Sequence, residues 1–393
     1  MTTAIGALAE CIETYRRWLH MPDPGALLMA LATVAANRAE GDPVWLLVIG
    51  PPGGGKTELL VPLHGLPDVY KAATMTEAAL LSGTPRKEKA ANAKGGLLRE
   101  IGAFGIIVMK DFGSVLSMHT DSRAAVLAAL REIYDGSWTR HLGTDGGQTL
   151  SWEGKVGLVA GCTPAIDNHH AVIGSMGERF LLYRLPGIDA DKQAGAALAH
   201  VGRERAMRTE LAAAVKAVLA SVAVDELTAA PGDVDRDRLV AISTLAVRCR
   251  SAVERDSYRR EIQLIPDSEA PARVALVLLK MLNALRAIGV DELTTWRLVI
   301  KAALDSMPAI RRTALDALRG QAPSALSAVA DRTGYPTTTT RRALEDLTAH
   351  GVLECTRPAK ADLWALSDWA SERWLRLEAI FSEKPQDVSN PSL

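Results

Sequence analysis

Apolar positions recur at spacings of three and four near the start of the chain, where Leu8, Cys11, Ile12, Tyr15 and Leu19 mark one helical face. The breaker Met21–Pro24 (MPDP) ends that helix, and the mostly apolar GALLMALATVAANRAEG that follows predicts a second, packed one. The pattern then changes. Val44–Gly50 (VWLLVIG) is an unbroken apolar run, the signature of a strand buried on both faces, and Gly105–Met109 (GIIVM) and Val156–Ala160 (VGLVA) repeat it. Between these runs the sequence predicts a short strand at Val69–Ala73, a Lys-, Ala- and Gly-rich loop at Thr84–Gly96 and a helix at Asp121–Tyr134. Ser137–Leu142 and Gln148–Trp152 flank Thr144-Asp145-Gly146-Gly147, which is hairpin turn chemistry. From 190 to 305 the pattern is helical, interrupted near Ala230–Asp233 and Ile265–Pro271. Three helices follow, at Pro308–Arg319, Ser324–Arg332 and from Pro336 to Gly351. Two short strands, VLECTR and ADLWAL, are then joined by Pro358-Ala359-Lys360. That order of elements resembles a winged helix-turn-helix.

Composition narrows the class. The chain has 393 residues, 48% hydrophobic and 23% charged, which excludes bulk disorder and allows more than one domain. Lys and Arg number 45 against 46 Asp and Glu, so an overall basic coat is excluded and nucleic-acid contact has to come from local patches. The four cysteines (Cys11, Cys162, Cys249, Cys355) are widely spaced, and His169-His170 has no third ligand near it in sequence. Both point to a reducing compartment without a zinc site. No apolar stretch approaches the roughly 18 residues of a membrane span, and no signal-like segment opens the chain, so a soluble cytoplasmic protein is expected.

The sharpest chemical signal is Gly50-Pro51-Pro52-Gly53-Gly54-Gly55-Lys56-Thr57, a full GxxxxGK[ST] match behind a buried strand, with Glu58-Leu59-Leu60 leading into a helix. Glycines let backbone N–H groups converge on the phosphates of ATP, Lys56 adds a point charge, and the Thr57 hydroxyl reaches Mg2+. The second apolar strand ends in Lys110-Asp111. Asp111, the only carboxylate at its tip, holds Mg2+ through water or orients the attacking water. An Asp–Glu pair is usual here in ATPases; aligned by strand length, Asp111 takes the Glu position and Lys110 replaces the Asp.

The order from Gly50 to Arg179 resembles AAA+ ATPases, and more narrowly the hairpin-bearing branch that includes minichromosome-maintenance helicases and related phage and mobile-element ATPases. KGGLLREIGAFGIIVMKDF, LREIYDGSWTRHLG, GLVAGCTP and GERFLLYRLP carry the likeness. The resemblance implies a P-loop α/β parallel sheet with a helical lid, an α+β winged helix, and a ring, most simply a homohexamer. It makes Thr163 the polar sensor and Arg179 a finger reaching the neighbouring subunit's nucleotide, with Arg184 as the rival. Arg273 becomes the second sensor, with Arg248 or Arg250 as alternatives. The hairpin would point into a central pore, carrying Trp138, Arg140 and His141 to DNA, or would lie on the surface with Trp138 in the core.

The domains expected are N-terminal helices over 1–43, an ATPase core over 44–189, a lid over 190–305, a winged helix over 306–370, and a helix end with a frayed tail over 371–393. In the winged helix, Thr339, Arg341 and Arg342 open the third helix, and Arg357 and Lys360 stand at the wing tip, where phosphates would lie. Two functions remain open at this point. One is a DNA-stimulated ATPase or helicase, or a replication initiator of a phage or mobile element. The other is a slowly hydrolysing, ATP-switched DNA-binding regulator or loader.

Overall fold

A computed structural model describes residues 3–82, 95–142, 148–170, 179–256, 258–358 and 361–382. Contacts divide the chain into two units, Met1–Ala229 with Asn283–Val290, and Ala230–Leu282 with Asp291–Leu393.

In the first unit, α1 (Ala4–Trp18) is capped by Thr3, whose hydroxyl accepts from the Gly6 N–H at 3.3 Å. α2 (Gly25–Arg38) buries nearly all of its length, as its all-round apolar composition requires. β1 (Trp45–Ile49) leads to α3 (Lys56–Leu60), which tightens into a 3-10 turn at Val61–Gly65 where Pro62 withholds a helical donor. β2 (Val69–Ala72), α4 (Glu77–Leu80), α5 (Leu97–Ile101), β3 (Phe104–Met109), α6 (Gly113–Leu116) and α7 (Thr120–Tyr134) follow. β4 (Ser137–Leu142) and β5 (Gln148–Glu153) form the expected antiparallel hairpin; its turn lies outside the described residues, as does most of the predicted Thr84–Gly96 loop. β6 (Lys155–Cys162) and β7 (Phe180–Arg184) complete a five-stranded parallel sheet of order β2-β3-β6-β1-β7. The three runs predicted as doubly buried strands are thus its three central members, covered on both faces as parallel strands require. α8 (Ala190–Ala199) and α9 (Glu204–Ala220) follow, α9 packing along α1.

In the second unit, α10 (Asp233–Arg250) precedes a small hairpin of β8 (Glu254–Arg255) and β9 (Ile262–Leu264), set in a stretch whose pattern predicted helix. α11 (Ala272–Ala287), whose residues divide between the units, leads to α12 (Glu292–Asp305). The segment 190–305, expected as one lid, is therefore split at Ala229, with α8 and α9 on one side and α10 and α12 on the other. The winged helix appears as expected, with α13 (Ala309–Leu318), α14 (Leu326–Thr333) and α15 (Thr337–Ala349). β11 (Leu353–Thr356) and β12 (Leu363–Leu366) follow, and β10 (Ser324–Ala325) completes a β10-β12-β11 sheet. α16 (Asp368–Ser382) lies along α10, and its Trp369 ring is faced at 3.9 Å by both Arg248 and Arg373. No helix among the described residues is long and apolar enough to cross a membrane.

Candidate functional site

The phosphate loop connects β1 to α3. Gly53 and Gly55 hold φ of 73° and 80°, left-handed values that side-chain-bearing residues adopt only with strain. The Gly50 N–H donates to the Cys162 carbonyl at 3.1 Å, which ties the loop's start to the end of β6. The Gly54 N–H donates to the Pro51 carbonyl at 3.0 Å, and a Cβ at Gly54 would stand 2.9 Å from that oxygen. Lys56 Nζ donates to the Gly50 and Pro51 carbonyls, each at 2.7 Å, so the ammonium lies over the loop's own backbone. Burial lowers its pKa, while the charges of Asp111 and Cys162 act to raise it.

Asp111 is brought to the same edge by a close approach of two strands. Gly161 of β6 lies so near the end of β3 that a Cβ there would be 2.5 Å from the Lys110 carbonyl. The Phe112 N–H then donates to the Gly161 carbonyl at 2.7 Å. Asp111 Oδ1 accepts from the Gly113 N–H at 2.8 Å, which fixes the carboxylate's orientation. Asp111, Ser114, Cys162, Thr163 and His169 line one cavity of ≈ 480 Å³. Thr163, half-buried, heads the 3-10 turn Pro164–His169. Lys56, Asp111 and Thr163 therefore meet at the carboxyl ends of β1, β3 and β6, where open α/β sheets bind ligands. Lys110 is exposed; burial, then the charges of Lys71 and Lys110, lower the His64 pKa. The exposed Thr57 hydroxyl and the Asp111 carboxylate are hard oxygen donors of the kind Mg2+ takes, beside a glycine loop in which a Cβ at Gly50 would stand 2.5 Å from the Leu185 side chain and one at Gly54 2.9 Å from the Pro51 carbonyl. Among the described residues, no group of three or more His, Cys, Asp and Glu could hold a metal by itself.

A cavity of ≈ 550 Å³ opens beside the loop, lined among others by Tyr15, Trp18, Met21, Ile188, Gln193 and Met207. The sequence reading did not find it, because its walls come from α1, the breaker after it, α8 and α9. Gln193 Nε2 donates to the Gly53 carbonyl at 3.0 Å. Glu58, which follows the loop into α3, is held by Arg208 at 2.7 and 3.1 Å, and that carboxylate raises the Arg208 pKa.

Several expected roles find different placements. Arg179 is 7% exposed; one nitrogen donates to both Asp135 oxygens at 2.6 and 2.9 Å, and the guanidinium lies 5.2 Å from the Tyr134 ring centre. In this chain the guanidinium is held internally, on Asp135. Arg184 is likewise bidentate to Asp167, at 2.7 and 2.9 Å. Trp138 is 7% exposed and belongs to the sheet core opposite Trp152, so its rings are closed to a DNA base. Arg140 donates to the Leu81 carbonyl at 2.9 Å and faces Glu77. His141 stays exposed, 3.0 Å from the Thr149 hydroxyl. In the second unit, Arg273 pairs with Glu269 at 3.4 Å; Arg250 is buried on the same carboxylate, and Arg248 stacks on Trp369.

On the winged helix, Thr339 and Arg341 are near the start of α15, and Arg342 is exposed one residue on. Arg341 approaches Asp362 at 3.7 Å and Arg357 binds the same carboxylate at 2.5 Å, so part of the expected positive charge is neutralised at the wing. Lys360 lies outside the described residues. Arg311 serves the interior: it donates to the Cys249 and Ser251 carbonyls and to Asp346.

Comparison with known proteins adds one local match. Residues 313–356, from within α13 through β11, match the IclR helix-turn-helix domain. None of the curated proteins matches the chain. Among solved structures, the Hsp104–ADP complex of S. cerevisiae is similar at 17% identity over 90% of this chain and 52% of that one, with a TM-score of 0.26. The chain spans about half the length of that protein, and at so low a TM-score the likeness decides nothing about activity.

Proposed function

We propose that the protein is a DNA-associated ATPase in which slow ATP hydrolysis switches DNA binding. The observation that carries this reading is the meeting of Lys56, Asp111 and Thr163 at the ends of three adjacent parallel strands, beside a glycine cradle, in a chain that also holds a helix-turn-helix. In this reading Lys56 exchanges the Gly50 and Pro51 carbonyls for phosphate oxygens, and the loop N–H groups take the remaining charge. Asp111 orients the attacking water and accepts its proton, with the Thr163 hydroxyl as a second anchor for that water. Thr57 and Asp111 would hold Mg2+, which would supply charge neutralisation on the phosphates.

The switch is favoured over the motor by three placements: a single acid at the tip of β3, Trp138 in the core, and Arg179 committed to Asp135. A helicase or replication-initiation motor, assembled as a ring of six in a phage or mobile element, is the second reading. The separate two-stranded sheet of β4 and β5 with exposed His141 supports it. Turnover is measured with and without single- and double-stranded DNA, alongside displacement of a forked duplex and native mass under nucleotide. ATP-dependent DNA binding without displacement supports the switch. Displacement by the native chain, lost in Lys56→Ala, supports the motor. Absence of any ATP binding refutes both.

A further inference from the structure

The helix α15 is flanked by two hairpins. At about 100° per residue, Arg341 and Asp346 stand about 140° apart around it, with Glu345, Thr338 and Arg342 between them. The remaining sector, with Thr340, Ala343, Leu344 and Leu347, is buried. On the Arg341 side lies the wing, reached through Asp362. On the Asp346 side lies the β8–β9 hairpin, joined through one guanidinium. Arg255 donates to Asp346 at 2.6 and 3.1 Å, to Glu345 at 3.0 Å, to the Arg342 carbonyl at 3.2 Å, and to the Arg260 carbonyl of its own turn at 2.7 Å. Arg311 holds the other Asp346 oxygen at 3.0 Å from α13, so the carboxylate cannot turn away. The turn of the hairpin and the backbone of Arg342 are thus bonded to the same side chain.

That turn presents Tyr258, 93% exposed, with exposed Arg259 and Arg260. Its acid, Asp256, faces inward: Oδ1 accepts the Tyr258 and Arg259 N–H groups at 2.9 and 2.5 Å. Glu254 and Glu261 stand beside the turn, so the tip itself is the cationic part. Two adjacent guanidinia and a phenol are therefore held out in solvent at this turn, Arg260 within the field of the Asp256 carboxylate, on the hairpin that Arg255 ties to α15. We infer that the β8–β9 hairpin is a second wing, which grips the DNA backbone with Arg259 and Arg260 on the flank of α15 opposite the β11–β12 wing. Tyr258 adds a hydroxyl to the same phosphates. This rests on the reading of α15 as the DNA-contacting helix.

The test uses the full chain and a labelled random-sequence duplex, with affinity followed by anisotropy across a salt series. Arg259→Gln with Arg260→Gln should weaken binding and flatten the log–log salt slope by about 2, one unit per phosphate contact. Both side chains are exposed, so the unfolding midpoint should not move; Arg259→Glu with Arg260→Glu should weaken binding further. A slope equal to that of the unmodified chain, while Arg341→Ala with Arg342→Ala loses affinity, would overturn the second wing and leave α15 as the DNA helix. Absence of salt-dependent binding by the unmodified chain would overturn the DNA reading and the inference with it.

Discussion

Replacing Trp138 with Ala separates a core residue from a DNA-stacking one. The side chain is 7% exposed, packed in the cluster that includes Trp152, Tyr134 and Leu130. An aromatic side chain of this kind buries roughly 150–250 Å². At about 25 cal/mol per Å² that is about 4–6 kcal/mol as an upper bound, and truncations of buried Trp typically cost about 3–5 kcal/mol. For a unit of this size each kcal/mol moves the melting midpoint by about 2–4 °C, so Trp138→Ala should melt about 6–20 °C lower. Trp138→Phe, which keeps a ring in place, should lose less. Circular dichroism gives the midpoint, and anisotropy with a labelled single strand, well below it, gives DNA affinity. A stacking residue would behave oppositely: an unchanged midpoint and a loss of about 1–3 kcal/mol in binding. That second outcome would refute the placement of Trp138 in the core and restore the hairpin as a DNA contact.

Asp111→Asn keeps the shape of the side chain but removes its charge, so turnover should fall by about 10²–10⁴ while mant-ATP binding stays within a few-fold; undiminished turnover would assign the base elsewhere. Burial pushes the Cys11 and Cys249 thiols to about 12 and the Cys162 thiol to about 11, whereas Cys355 is exposed. A thiol-reactive dye at neutral pH should therefore label Cys355 alone until the chain is unfolded. The folded state holds these protons more tightly than the unfolded state, so stability should fall as pH rises from about 9 toward 12, followed by denaturation midpoints; a flat profile would contradict the burial. Arg341→Ala with Arg342→Ala should reduce duplex affinity and the salt slope, and an unaltered slope would assign α15 to protein contact.

The central strands were legible because burial on both faces leaves a continuous apolar run, as in VWLLVI, and because the phosphate loop advertises itself by its glycines. The winged helix was legible for a related reason: Gly334, Pro336 and Gly351 punctuate it where its elements end. β7 is not legible because FLLYR is a short run, and nothing in it separates an edge strand from the end of a loop. The β8–β9 hairpin hid in a highly charged stretch between two helices, where Glu254–Glu261 carries no apolar period of either kind; the lack of a helical stripe was the available signal. The roles of arginines were the least legible. Arg179, Arg255 and Arg311 look alike along the chain, and only the partners that folding supplies make one an anchor on Asp135 and the other two clamps on Asp346.

Two bonds hold the phosphate loop and its helix from far along the chain: Gln193 reaches Gly53 across 140 residues, and Arg208 reaches Glu58 across 150. A fragment trimmed to the sheet alone, ending near 189, would keep every letter of the GxxxxGKT match yet lose both tethers and one wall of the neighbouring cavity. Any shortened version made to study nucleotide capture therefore has to begin before Tyr15 and continue beyond Arg208.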